Sequence, residues 1–446
     1  MKIGGTLLAG PAEAALHGVL QVPGDKSMSH RSVMMAAVAD GVTEISGFLP
    51  GEDCLATASM FECMGVSIEW LNAEKTALRV QGAGLHGLQA PDRILDAGNS
   101  GTCARLMLGL LAGQPFASTL TGDESLRRRP MRRVIEPLRR MGANITASGD
   151  GDLLPLTIQG GSLSGIDFES EVASAQVKSC VLLAGLYARG DTRVREPRPT
   201  RDHTERMLPL FGQPVGECDG WIVLHPSGEL RAPEDVLTIP ADPSSAAFFA
   251  VAATIVPGSE VMLTNIGINP RRDGWRRILT AMGADLETSR EYAVGEEPVA
   301  DIRACCRQKL AGVKVAALDV PDAIDEFPIL FVAASLADGV FMLRGASELR
   351  VKESDRIAVM AGALRAMGAE IEEWPDGLQI HGRPRLKGGV EVDAHGDHRV
   401  AMAMAVAAQM ADAPVLIHNA AAIATSFPGF VEQAQSIGMN VRWLEE

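Results

Sequence analysis

Aromatic side chains are scarce. Twelve Phe, five Trp and two Tyr make up 4% of 446 residues. With 46% apolar residues, general disorder is excluded, and the cores must be built from Ala, Val, Leu, Ile and the 19 Met. Cations are outnumbered: 41 Lys and Arg stand against 56 Asp and Glu, a net charge of −15. A general nucleic-acid binder carries a basic surplus, so that class is excluded. No run of 18 apolar residues lacks a charge or a break, which excludes a membrane-spanning helix. The early apolar run Thr6-Leu7-Leu8-Ala9 is too short for a signal-peptide core. Seven Cys, at 54, 63, 103, 180, 218, 305 and 306, form no C-x-x-C and no zinc-type spacing with His. Free thiols in a reducing cytoplasm are expected, with no metal site. Neither G-x-x-x-x-G-K-[ST] nor a G-x-G-x-x-G after a strand occurs, so neither a P-loop nor a dinucleotide site is indicated.

What the chain does contain is a sixfold repetition. A helix-like segment that ends in Gly and passes into alternating apolar residues recurs at Met64-Gly65-Val66, Met141-Gly142-Ala143, Phe211-Gly212, Met282-Gly283-Ala284, Met367-Gly368-Ala369 and Ile437-Gly438-Met439. The glycines lie about 75 residues apart, the spacing of six equal units. Gly just past a helix end is the expected left-handed cap. Between these turns lie six small, apolar helices at roughly 25–41, 98–113, 174–190, 242–258, 322–339 and 396–413. Being apolar nearly all round, they belong in the interior. Each unit therefore reads as strand, buried helix, strand, outer helix, strand, strand. The fold class is α/β with two domains of three units each. One domain comprises 1–21 and 241–446, the other 22–240, joined by short hinges with the active site in the cleft between them.

Polar clusters open the six inner helices: Gly24-Asp25-Lys26-Ser27-Met28-Ser29-His30-Arg31, Asp96-Ala97-Gly98-Asn99-Ser100-Gly101-Thr102, Ser174-Ala175-Gln176-Val177-Lys178, Asp242-Pro243-Ser244-Ser245, Asp322-Ala323-Ile324-Asp325-Glu326 and Gly396-Asp397-His398-Arg399. A helix N-terminus offers free N–H groups and partial positive charge, and Gly lets an anion approach the backbone. Ordinary capping accounts for Asp242-Pro243-Ser244-Ser245. It does not account for Lys26, Arg31, Lys178 or Arg399 beside apolar helices. Further cations cluster at Arg127-Arg128-Arg129-Pro130, Arg132-Arg133, Arg201, Arg271-Arg272 and Arg350 to Arg356. Arg forks suit phosphate and carboxylate groups. A small substrate bearing several such groups is indicated.

These clusters resemble the enolpyruvyltransferases. The resemblance is carried by Gly24-Asp25-Lys26-Ser27-Met28-Ser29-His30-Arg31, Gly98-Asn99-Ser100-Gly101-Thr102, Arg129-Pro130, Ser174-Ala175-Gln176, Arg350-Val351-Lys352-Glu353-Ser354-Asp355-Arg356 and Asp397-His398-Arg399, in order from about residue 20 to Phe430. It is closest to the branch of the family that uses shikimate 3-phosphate. The resemblance implies the two-domain inverse α/β barrel of six βαβαββ repeats. It also implies transfer of the enolpyruvyl group of phosphoenolpyruvate to the 5-hydroxyl of shikimate 3-phosphate, with loss of phosphate, no cofactor and no metal. By similarity, phosphoenolpyruvate would meet Lys26, Asn99, Gly101, Arg129, Gln176, Arg356 and Arg399. Shikimate 3-phosphate would meet Lys26, Ser27, Arg31, Ser174, Ala175, Gln176, Arg201, Asp325 and Lys352. Asp325 would act as base toward the 5-hydroxyl, with Glu353 and Lys26 as proton carriers. His398 is open between a core histidine and a direct role. A cytoplasmic monomer without nucleic-acid or membrane partners is expected.

Some positions depart from the family. Thr425 stands before Ser426-Phe427-Pro428, where many members carry Lys. Motifs around Lys26, Gln176 and Arg201 resemble the subgroup described as glyphosate-tolerant, whereas Asn269-Pro270-Arg271-Arg272 misses its N-x-T-R and Gly101 is associated with sensitive enzymes; an intermediate response is expected. The related transferase that acts on UDP-N-acetylglucosamine places a Cys in the loop after the second inner helix, and residues 114–140 contain none. A non-catalytic ring of six α/β units would carry its cations along solvent-facing helices rather than at helix openings.

Overall fold

The computed structural model describes residues 5–149 and 152–444. They form two compact units, one of Met1–Pro23 with Pro240–Glu446 and one of Gly24–Ile239. Six repeats of the expected order are present. The second is representative: strand Leu95–Asp96, inner helix Gly101–Ala112, strand Ala117–Thr121, outer helix Arg132–Arg140, then strands Asn144–Ser148 and Leu153–Gln159. The first strand runs parallel to the second; the second pairs antiparallel with the fourth, and the fourth with the third.

Two substitutions in this scheme explain how the chain passes between units. Strand His17–Leu20 precedes the first inner helix but lies parallel to Glu260–Gly267, in the fourth repeat's sheet. Leu237–Thr238 precedes the fourth inner helix but lies parallel to Val42–Ser46, in the first repeat's sheet. The sixth sheet borrows its last strand from the N-terminal segment: Leu7–Ala9 inserts antiparallel between Val415–His418 and Val441–Trp443. The fifth sheet has three strands, and a single parallel bridge from Lys314 to Met342 takes the place of its first.

The inner helices span Lys26–Ala37, Gly101–Ala112, Ala175–Gly185, Pro243–Ile255, Phe327–Leu336 and His398–Ala408. Their residues are buried almost without interruption. Small residues permit this. A Cβ on Gly109 would lie 2.3 Å from the Cys180 carbonyl oxygen, so the second and third inner helices approach to a distance only Gly allows. All six repeat glycines have positive φ, from 78° at Gly212 to 106° at Gly142, as a left-handed cap requires. The third outer helix is short, His203–Met207, followed by a 3₁₀ turn Leu208–Phe211 that contains Pro209.

The fifth inner helix corrects the expected boundaries. It begins at Phe327 rather than at 322, with Pro328 in its first turn. Asp319–Asp322 forms a separate short turn of helix, so Asp325 and Glu326 lie before the inner helix. Lys178 also reads differently. It is 2% exposed and paired with Glu196 at 2.9 Å and Glu205 at 2.7 Å, a core ion pair rather than a ligand-facing cation. Burial opposes its charge, yet the two carboxylates outweigh that cost and raise its pKa. All seven cysteines are free thiols. Among the described residues no helix is long and apolar enough to cross a membrane.

Candidate functional site

In the Gly24–Ile239 unit, three inner helices bring their N-terminal ends into one hydrogen-bonded set. Asp25 caps the first by accepting from the Met28 N–H at 2.9 Å. Lys26 follows and forms an ion pair with Asp53, at the start of the outer helix Glu52–Glu62. One turn on, Arg31 donates from Nε to Thr204 Oγ1 at 2.8 Å, from Nη2 to Ser179 Oγ at 2.8 Å, and from Nη1 to the Ser27 carbonyl at 3.0 Å. These bonds join the first inner helix to the third.

The second inner helix opens through Gly98, at φ 56°, and Ser100 caps it by accepting from the Cys103 N–H at 3.1 Å. Asn99 donates to Asp123 at 2.7 Å and accepts from Arg129 Nη2 at 2.7 Å. Arg129 also donates to Ser125 Oγ at 3.1 Å. Gln176 joins the second and third inner helices: its oxygen accepts from Arg105 Nη1 at 2.9 Å and its Nε2 donates to Thr102 at 3.0 Å. Ser174 and Ala175 flank it at the start of the third. A Cβ on Gly101 would lie 2.7 Å from Arg105 Nη1 and 3.3 Å from Arg129 Nη1. Of the residues expected in this unit, Lys26, Ser27, Arg31, Asn99, Gly101, Arg129, Ser174, Ala175 and Gln176 lie at or against these helix ends. Arg201 is half-buried and precedes the helix His203–Met207.

In the other unit the corresponding ends are linked by charge. Arg356, 1% exposed, is the centre. Its Nη1 donates to Asp325 Oδ1 at 3.1 Å, its Nη2 to Glu353 Oε2 at 2.5 Å, and its Nε to Asp397 Oδ2 at 2.8 Å. Lys352 reaches the same Asp325 oxygen at 3.3 Å. Asp397 caps the sixth inner helix by accepting from the Arg399 N–H at 2.9 Å. The Arg399 Nη1 donates to the Asp325 carbonyl at 2.8 Å and to Glu326 Oε1 at 3.3 Å. Burial works against the Arg356 charge, but Asp397, Glu353 and Asp325 more than offset it and raise its pKa. Burial likewise opposes ionisation of Asp397, and the Arg356 charge overcomes it, so the Asp397 carboxyl sits below its ordinary value. The structure thus brings together Asp325, Lys352, Glu353, Arg356 and Arg399.

Several contributing residues were not legible as such. Asp242-Pro243-Ser244 does cap the fourth inner helix, but capping is not its whole role: Arg272 Nη2 donates to Asp242 at 3.0 Å and to Ser244 Oγ at 2.8 Å, and Ser244 donates to buried Glu326. Arg105 escaped because it lies inside an apolar helix, yet a lone cation one turn after Gly101 was a usable signal. Asp53, in the first turn of Glu52–Glu62, carries no sequence signal beyond that of an ordinary helix-start acid. His398 is buried at the first position of the sixth inner helix, with its Nδ1 3.5 Å from Thr425 Oγ1. Thr425 is itself buried and donates to the Ala422 carbonyl at 2.7 Å. Among the described residues no group of three His, Cys, Asp or Glu is placed to hold a metal.

Chemically, the first set presents helix N-termini, amides, hydroxyls and guanidinium groups, the donors that bind anions. The second holds three carboxylates on one guanidinium, and two of them, Asp325 and Glu353, sit on adjacent terminal nitrogens, a geometry available for proton transfer. The EPSP synthase (3-phosphoshikimate 1-carboxyvinyltransferase) family model matches residues 11–434. The chain is 56% identical to the 3-phosphoshikimate 1-carboxyvinyltransferase of Alkalilimnicola ehrlichii over 95% of its length and 94% of that protein's. It is 54% identical to that of Methylococcus capsulatus, over 97% of each. Among solved structures, an EPSP synthase from Acinetobacter baumannii superposes with a TM-score of 0.87 at 46% identity, covering 99% of this chain and all of that one.

Proposed function

The chain belongs to the EPSP synthase (3-phosphoshikimate 1-carboxyvinyltransferase) family, and from that premise we propose how its residues divide the reaction. The enzyme transfers the enolpyruvyl group of phosphoenolpyruvate to the 5-hydroxyl of shikimate 3-phosphate and releases phosphate, a step of aromatic amino-acid biosynthesis. The reaction is an addition–elimination: the enol methylene gains a proton, the hydroxyl attacks C2, and the tetrahedral intermediate loses phosphate.

Phosphoenolpyruvate is held by Lys26, Asn99, Gly101, Arg129, Gln176, Arg356 and Arg399. Shikimate 3-phosphate is held by Lys26, Ser27, Arg31, Ser174, Ala175, Gln176, Arg201, Asp325 and Lys352. Asp325 takes the proton of the 5-hydroxyl, while Glu353 and Lys26 carry protons at the methylene and the departing phosphate. The observation that carries this assignment is the Arg356 guanidinium, which fixes Asp325 and Glu353 on adjacent nitrogens. Lys352 and Arg399 place positive charge around Asp325. No cofactor takes part. The chain works as a cytoplasmic monomer, without nucleic-acid or membrane partners. An intermediate response to glyphosate, expected from Gly101 together with the subgroup motifs, belongs to the same proposal.

The test is phosphate release from phosphoenolpyruvate with shikimate 3-phosphate or with UDP-N-acetylglucosamine as acceptor. Turnover with the first acceptor alone is expected. Turnover with the second alone would overturn the substrate assignment.

A further inference from the structure

His30 is completely buried and is not among the residues to which the reaction is assigned. It lies on the first inner helix between Lys26 and Arg31, and both ring nitrogens are used. Its Nδ1 is 2.7 Å from Thr57 Oγ1, on the outer helix Glu52–Glu62. Its Nε2 is 3.2 Å from Ser100 Oγ, the cap of the second inner helix.

The hydrogen-bond directions follow from the partners. With the Thr57 hydroxyl turned to the Asp53 carbonyl at 3.4 Å, Thr57 Oγ1 accepts from the ring, and we assign the proton to Nδ1. Nε2 is then the acceptor for the Ser100 hydroxyl. Ser100 Oγ in turn accepts from the Cys103 N–H. One chain of bonds therefore runs from the cap of the Asn99–Gly101 turn, through the imidazole, to the helix that supplies Asp53 to Lys26. A charged ring would be a donor at both nitrogens and could not accept from Ser100. Burial first, and then the Lys26 and Arg31 charges, hold the pKa of His30 well below its ordinary value, against the opposing Asp25.

Any buried imidazole needs hydrogen-bond partners; what singles out this one is that its partners are the cap of the Asn99–Gly101 turn and the helix that carries Asp53. We propose that His30 is a positioning residue for phosphoenolpyruvate, a neutral spacer that sets the Asn99–Gly101 turn relative to Lys26. The proposal rests on the reading that Lys26, Asn99 and Gly101 hold that substrate. A displacement of about 1 Å at a bound substrate can cost up to about a hundredfold, so an effect of measurable size is expected.

Four variants test it: His30→Asn, His30→Gln, Ser100→Ala and the double variant His30→Asn/Ser100→Ala. His30→Asn keeps a polar group near Nδ1 and withdraws it from Ser100. The expected result is a KM for phosphoenolpyruvate raised about tenfold, with kcat and the KM for shikimate 3-phosphate within about threefold. His30→Gln, whose amide extends toward the Nε2 position, recovers most of the loss. Ser100→Ala matches His30→Asn, and the double variant is no worse than either, as a shared link requires. Equal rises in both KM values, additive losses, or an unchanged KM for phosphoenolpyruvate would overturn the proposal. If His30→Asn does not fold, Ser100→Ala and His30→Gln decide it by the same KM comparison. Asn99→Ala is the control: if it leaves the phosphoenolpyruvate KM unchanged, the site assignment fails instead.

Discussion

The two units repeat one strand–helix pattern three times each, yet they tie their inner helices together by different means. In the Gly24–Ile239 unit, hydroxyls, an amide and a neutral imidazole form links: His30 with Ser100, Arg31 with Ser179, Gln176 with Thr102 and Arg105. In the unit of Met1–Pro23 and Pro240–Glu446, carboxylates meet guanidinium groups: Arg356 with Asp325, Glu353 and Asp397, Arg399 with Glu326, Arg272 with Asp242. Bonds to neutral oxygens orient Arg31 and Arg105 without cancelling their charge, which suits anion binding, although Lys26 in the same unit is paired with Asp53. Ion pairs fix carboxylates beside cations, which suits proton transfer. A repeated fold thus leaves the chemistry of its helix ends free to diverge.

The largest expected effect tests that division of labour. Asp325→Ala and Lys26→Ala should each lower kcat by about 10²-fold to 10⁴-fold, the range of a lost acid–base group, with the folded circular dichroism spectrum retained. Arg129→Ala, in the anion-binding set, should instead act mainly on the KM for phosphoenolpyruvate. Near-normal turnover of Asp325→Ala or Lys26→Ala would break the comparison.

Stability should divide in the same way. Arg356→Leu leaves three carboxylates without their shared cation, a loss of about 3–5 kcal/mol. Arg31→Leu leaves hydroxyls that already bond each other, Thr204 Oγ1 donating to Ser179 Oγ at 2.7 Å; a cost of about 1–3 kcal/mol is expected. Denaturant titration of both variants measures the difference, and equal losses would show that charge is not what separates the units.

The smallest effect concerns pH. The folded protein keeps His30 neutral below its ordinary value of 6.5, whereas the unfolded chain takes up a proton there. Stability from this group is therefore full above about pH 6.5 and falls as pH drops, by at most about 1.4 kcal/mol per unit. Asp397, depressed below 3.8 in the folded state, contributes stability that is present above that value and lost only at lower pH, as the folded carboxyl takes its proton. Subtracting the pH profile of His30→Asn from that of the unaltered protein should leave a slope between about pH 6.5 and 4. A flat difference would mean that His30 does not titrate differently in the two states.

Much of the fold was legible because its signals are local. Gly65, Gly142, Gly212, Gly283, Gly368 and Gly438 mark helix ends that need positive φ, and runs such as Val33 to Ala39 have no polar face to expose. The fifth inner helix was misjudged because Asp322 to Glu326 resembles a helix opening, while Pro328 sets the actual start. The exchange of strands His17–Leu20 and Leu237–Thr238 between sheets depends on pairing partners 243 and 192 residues away. The polar partners divide similarly. Motifs located Lys26, Arg356 and Asp397, but Asp53, Arg105 and Glu326 matter through contacts with residues distant in sequence.

The sequence by itself determined the six α/β units, their apolar inner helices and the family, because periodicity, caps and motifs are properties of neighbouring residues. Tertiary structure alone decided which cations serve the core and which serve the helix ends. Lys178 and Lys26 both open apolar helices, yet one lies between Glu196 and Glu205, 2% exposed, and the other pairs with Asp53 at a helix end, 19% exposed. Nothing in the two local sequences states that difference, since the field at a charge depends on what folding brings within a few ångströms of it.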